Sequence, residues 1–208
     1  MGEIWSSAVA FFPAFLGAFV PLFIAIDALS LPPIIVSLSE GLTYRERRRS
    51  VHVAILTALG VGLAFLLFGQ AMLSLMGISV GSFAIAGGIV LLVQSILNMT
   101  SGRSMDVVKE EMVAVVPIGT PLLAGPATIT TLLLLSAQMS FFIVLTAFLA
   151  NVAVAWLICL SSNRVLSVMG RGGIRAVSKV FSLLLAAIAV NLILRGLAIT
   201  GIISGTVS

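Results

Sequence analysis

The chain has 208 residues, 60% of them hydrophobic and 9% charged, with a formal net charge of +4. A soluble globular domain carries about 25% charged residues and does not hold several separate apolar stretches of about 20 residues, the length a helix needs to cross hydrocarbon. Composition therefore excludes a soluble enzyme and predicts one all-α integral membrane domain.

In chain order, apolar runs cover residues 8–26, 51–76, 80–99, 112–137, 141–161 and 177–199, which predicts six transmembrane helices. Met1 to Trp5 contain Glu3 and no Lys or Arg. A positive leader of the kind that precedes a cleaved signal is missing, so the first run is expected to stay in the mature protein. The junctions are 40–50, 77–79, 101–111, 138–140 and 163–179, alternately long and charged or tight. Ten of the eleven basic residues fall on one side: Arg45, Arg47, Arg48 and Arg49, then Arg103 and Lys109, then Arg164, Arg171, Arg175 and Lys179. Cytoplasmic loops retain Lys and Arg during insertion, which predicts a multi-pass protein of a prokaryotic inner (plasma) membrane with both termini outside. The same residues read as topogenic charge in contact with lipid headgroups, and no nucleic-acid partner is expected. Arg195, near the outer end of the sixth span, either snorkels to headgroups or pairs with Asp27.

The two halves, about 8–99 and about 112–199, resemble one another. Pro33 and Pro126 are offset by 93 residues, as are Asn98 and Asn191 (126 − 33 and 191 − 98). Three spans per half put the second copy into the membrane from the opposite face, the inverted repeat of many secondary transporters. The first span of each half is also broken. One break runs from Asp27 through Ser30 to Pro32 and Pro33; the other runs from Pro117 through Gly119, Thr120 and Pro121 to Gly125, Pro126, Ala127 and Thr128. Proline removes a backbone donor and glycine adds freedom, so backbone polar groups at these points lose helical partners and need protein or a water-filled cavity around them. A simple kink is the alternative for either break alone; two at matching positions favour a site.

Asp27 is the one carboxylate that these spans place near the membrane interior. It reads as proton carrier, cation ligand or partner of a substrate ammonium, with helix capping as the alternative. Gln70, Gln94, Asn98 and Asn191 can bond between helices, and the two asparagines can also line a path. Ser30, Ser37, Thr120, Thr128, Thr130 and Thr131 surround the breaks, where hydroxyls recover lost backbone bonds or touch solute. Gly87 and Gly88, with Ala84 and Ala86, allow close helix approach. His52 has no second imidazole or cysteine beside it, Cys159 lies inside an apolar run, and there is no Walker-type loop. No catalytic residue, metal site or cofactor is predicted, and the driving force is expected from a gradient or a partner.

The stretch from Thr120 to Thr131, TPLLAGPATITT, together with Ser37 to Thr43 leading into Arg45 to Arg49, Phe83 to Gly88, and Leu183 to Val190, resembles the MarC family of small membrane proteins over nearly the whole chain. That family includes SnatA-type neutral amino acid transporters and is related to LysE-type exporters. Its first-half motif is matched at Asp27 and Pro33, while Ala28 and Ser30 replace a proline and a glycine, Ala127 replaces a second-half glycine, and Arg195 stands where many relatives carry an acid. The resemblance implies a secondary transporter of small polar solutes such as glycine or alanine, coupled to a proton or sodium. Asp27 would be the coupling group, and Ser30, Pro33, Asn98, Thr120, Gly125, Pro126, Thr128 and Asn191 would line the solute site. A non-transporting assembly or regulatory subunit and an exporter of another metabolite remain the alternatives. Six short spans also leave lipid-facing surface on which a homodimer could form.

Overall fold

A computed structural model describes residues 2–39, 43–100 and 124–202. Among these the chain is helical: α1 (Gly2–Ile26), a 3-10 turn (Ala28–Ser30), α2 (Leu31–Leu38), α3 (Tyr44–Leu75), α4 (Val80–Thr100), α5 (Pro126–Gln138), α6 (Phe141–Leu160) and α7 (Ser162–Ile199). Five apolar stretches are long enough to cross a membrane, the first running Phe11–Ser37 through the break. The fourth run expected from the sequence, 112–137, lies partly outside the described residues; its remainder is α5, 13 residues long.

The first break is built as the residue types require. Asp27 takes a left-handed conformation, φ 47 and ψ 46, and is the one non-glycine residue with positive φ among those described. Aspartate tolerates this region better than most residues because its short polar side chain can bond locally. Its N–H closes α1 on the Phe23 carbonyl at 3.2 Å, and its own carbonyl accepts from the Ser30 N–H at 3.0 Å. Pro32 and Pro33 then occupy the first turn of α2, where the missing N–H costs nothing. α5 starts in a similar way, with extended Gly125 (φ −68, ψ 171) as its cap and Pro126 as its first residue.

Two junctions differ from expectation. Arg45 to Arg49 lie on the first turns of α3, because Thr43 and Glu46 form a capping box that starts the helix early: the Thr43 N–H donates to Glu46 Oε2 at 2.8 Å and the Glu46 N–H to Thr43 Oγ1 at 3.4 Å. Residues 163–179, expected as a polar junction, belong to α7, which is interrupted only at Gly170 (φ 65, ψ 167), a conformation that glycine adopts without Cβ strain. Arg47 ties the two regions together, donating to Asn163 Oδ1 at 3.0 Å and to Ser162 Oγ.

The packing pairs α1 with α6, α3 with α5, and α4 with α7, the last most extensively. Small residues permit the α4–α7 approach: a Cβ on Gly88 would stand 2.7 Å from the Ala189 carbonyl oxygen, and one on Gly196 would stand 2.7 Å from that of Gly81. The main core, including Leu22, Ala58, Val144, Ala147 and Phe148, lies between α1, α3 and α6. Asn151, fully buried on α6, donates to the carbonyls of Phe19 (3.1 Å) and Ala147 (2.9 Å), fastening α6 to α1. A file of stacked rings at every fourth residue, Phe11, Phe15, Phe19 and Phe23, runs along α1 with centroids 5.5 to 6.0 Å apart, and Phe23 meets Phe181 of α7 edge-on at 5.6 Å. Many large apolar side chains, among them Leu56, Phe68, Phe142 and Leu183, face outward, as lipid contact requires.

Candidate functional site

A small core of Ile24, Leu91, Ala127, Leu185 and Ala189 joins α1, α4, α5 and α7 where the break after α1 meets the start of α5. Beside it lies a cavity of about 60 Å³. The end of α1 with Asp27, the start of α5 from Gly125 to Thr128, Gln94 and Asn98 of α4, and Phe181, Ser182 and Leu185 of α7 line it. The amide pair is internally bonded, Gln94 Nε2 donating to Asn98 Oδ1 at 3.4 Å. α5 begins at the cavity, so its first turn brings N–H groups that have no earlier carbonyl in the helix, together with the positive end of its dipole.

On the other side of Asp27 lies a second cavity of about 140 Å³. Ser30 Oγ donates to Asp27 Oδ2 at 2.6 Å, and Ser178 Oγ of α7 donates to the same oxygen at 3.4 Å; the two hydroxyl oxygens are 2.6 Å apart. The carboxylate is thus held between the break and α7 by hydroxyls, which can support it as an anion. Pro33, Ile34, Asn98, Ile174 and the basic side chains of Arg171, Arg175 and Lys179 complete this wall. Asp27 and Asn98 line both cavities.

Of the residues singled out from the sequence, Asp27, Asn98, Gly125, Pro126 and Thr128 come together at the first cavity, and Ser30 and Pro33 join Asp27 at the second. Thr120, with the rest of 117–123, lies outside the described residues. Asn191 is exposed on α7 and lines neither cavity, so the asparagines that match in sequence occupy unlike places. Among the described residues Arg195 bonds to Gln138 and not to Asp27: its Nη1 donates to Gln138 Oε1 at 3.2 Å, joining the ends of α7 and α5. Thr130 and Thr131 are buried on α5, and Thr130 packs on Gly87. The sequence reading missed Ser178, Phe181 and Ser182, and took Arg171, Arg175 and Lys179 for topogenic charge alone. Their helical spacing, with Leu185 one turn further on, was the available signal.

A polar cavity set where an apolar helix breaks, inside a bundle whose outer side chains are apolar, defines a multi-pass integral membrane protein. The family model described as MarC family integral membrane protein matches residues 12–201, and the chain belongs to the MarC family. It is 34% identical over 195 residues to a UPF0056 membrane protein of Methanocaldococcus jannaschii, covering 88% of this chain and 95% of that protein. It is 32% identical over 192 residues to one of Pyrococcus abyssi, with 88% and 95% covered. It is also 28% identical over 208 residues to the UPF0056 membrane protein YhcE of Escherichia coli, with 93% and 95% covered. No solved structure matches the chain.

Proposed function

We propose that the chain is a secondary transporter of neutral amino acids the size of glycine and alanine, driven by a proton or cation gradient. The observation that carries this reading is the meeting of the break at Asp27 with the start of α5 on one small cavity. A solute carboxylate finds the first-turn N–H groups and positive dipole end of α5, and its ammonium finds Asp27 and the carbonyls freed at the first break. At about 60 Å³ the cavity holds roughly four or five waters, close to the heavy-atom count of glycine or alanine and far below the 300 Å³ or more of a drug-sized site. Asp27, alternately bound to a proton or cation and to the solute ammonium, is the coupling group.

The inverted repeat belongs to the same proposal. Let α1–α2, α3 and α4 be the first unit, and the second broken span with α5, α6 and α7 the second. Exchanging the units carries α2 onto α5, and so turns the α2–α6 pair into the α3–α5 pair and the α2–α7 contact into the α4–α5 contact; the α4–α7 and α3–α6 pairs map onto themselves. All these pairs are present, as a two-fold relation demands. With Arg45 to Arg49, Arg164, Arg171, Arg175 and Lys179 facing the cytoplasm, both termini lie outside the plasma membrane.

Uptake of radiolabelled glycine and alanine into proteoliposomes, under an imposed pH or sodium gradient, tests the proposal against Asp27→Asn. Gradient-dependent flux that the substitution abolishes is expected. Folded protein that moves neither amino acid under either gradient would overturn the substrate assignment and return the chain to a non-transporting role.

A further inference from the structure

Arg171, Arg175 and Lys179 follow the Gly170 kink at four-residue intervals, and the stripe continues through Ser178 to Ser182 at the inner cavity. From Arg171 to Ser182 this face of α7 climbs about 17 Å at 1.5 Å per residue. It leads from the mouth of one cavity to the wall of the other. Among the described residues none of the three cations forms an ion pair or hydrogen bond, and Asp27 is the only carboxylate in the 140 Å³ cavity that they line. Three positive charges at one end and one negative charge at the other make a polarised compartment, matched to a small zwitterion rather than to a simple anion or a simple cation.

We infer that this cavity is a carboxylate-binding vestibule, in which the cations of α7 take the carboxylate of a small zwitterion while its ammonium sits on Asp27. Because Asp27 and Asn98 are the wall shared with the inner cavity, the solute advances by changing its carboxylate partner, from the α7 cations to the start of α5, with its ammonium still on Asp27. The inference rests on the transporter reading for the solute's passage between the two cavities, but the binding step stands by itself. Amines that lack a carboxylate are rejected at this mouth by the three cations. An anionic lipid headgroup offers the same oxygen chemistry; the acid at the inner end of the cavity, which would repel a phosphate and hold an ammonium, favours the soluble zwitterion.

The test needs no flux. The full chain in nanodiscs of zwitterionic lipid is treated with phenylglyoxal at constant ionic strength set by chloride, and modification of Arg171 and Arg175 is followed by mass spectrometry. Acetate and glycine are expected to slow modification severalfold, glycine more than acetate, whereas methylammonium, which controls for reaction of amines with the reagent, gives no slowing. Asp27→Asn should erase the advantage of glycine over acetate, and Arg175→Gln with Lys179→Gln should weaken protection of Arg171, with continued burial of Cys159 confirming the fold. Equal modification with acetate, glycine and chloride would overturn the inference, as would full protection by anionic lipid alone. Transport without protection sinks the vestibule and leaves the transporter; protection without transport does the reverse.

Discussion

Gly88 and Gly60 are both helical glycines, yet the structure assigns opposite signs to their replacement by alanine. Alanine is favoured over glycine in a helix by about 1 kcal/mol, a gain open to both positions. At Gly60 of α3 a Cβ would meet nothing within 4 Å, so the gain is realised. At Gly88 of α4 the new carbon would lie 2.7 Å from the Ala189 carbonyl oxygen and 3.2 Å from the Ile193 nitrogen, both backbone atoms of α7 that cannot rotate aside. The two helices must separate, and overpacking of this kind costs about 1–3 kcal/mol, leaving a net loss of about 1 kcal/mol. Cys159, the chain's single cysteine and 2% exposed, reports unfolding through maleimide labelling on heating in detergent. Labelling midpoints should rise for Gly60→Ala and fall for Gly88→Ala, by about 2–4 °C per kcal/mol for a chain of this size. A Gly88→Ala protein as stable as Gly60→Ala would refute the close backbone approach. Since Asn98 on α4 and Ser182 on α7 line the same cavity, the Gly88 change should also widen it and relax selectivity towards larger amino acids.

At Asp27, with φ 47, Asn suits the left-handed backbone and still accepts the Ser30 bond, whereas Ala does neither; Asp27→Ala should therefore unfold at lower temperature than Asp27→Asn, by about 1–2 kcal/mol in the same labelling assay. Gly170→Ala meets no clash but inherits φ 65 and ψ 167, a region essentially confined to glycine, so a loss of about 1–3 kcal/mol is expected, with the Arg171 to Lys179 stripe displaced and phenylglyoxal reactivity changed. Glu46 is held below the usual carboxylate range first by the Thr43 hydroxyl and then by the Thr43 N–H. A folded pKa below the unfolded one gives stability that is present above the unfolded value and is lost as pH falls through the folded value. Carboxyl NMR should show Glu46 titrating below 4.5 in the native chain and closer to it in Thr43→Ala, with the start of α3 fraying at higher pH in the variant.

Five of the spans were legible because a helix in hydrocarbon needs a long apolar run, and the first break because Pro32 and Pro33 interrupt such a run. Asp27 stood out for the cost of a carboxylate among them. Helical register, which depends on where a kink resets the face, was harder to read. Asn191 lies six residues past Leu185, about 600° of rotation, and so points away from the side of α7 that lines the cavity. The basic residues after Gly170 were counted only towards topology, because the insertion rule is indifferent to the face a Lys or Arg occupies. Arg195 meets Gln138 across 57 residues of sequence, a neighbour relation that no local pattern encodes.

The file of phenylalanines along α1 ends where the helix ends. Each ring braces the next, and Asn151 grips the carbonyl of the third, so this helix is braced as a lever down to the left-handed residue that ends it. A tilt of that lever swings Phe23 against Phe181, and α7 feels the push one residue from Ser182. The ring file and the wall of the cavity beside Asp27 are thereby one mechanical unit, joined through a single edge-on contact.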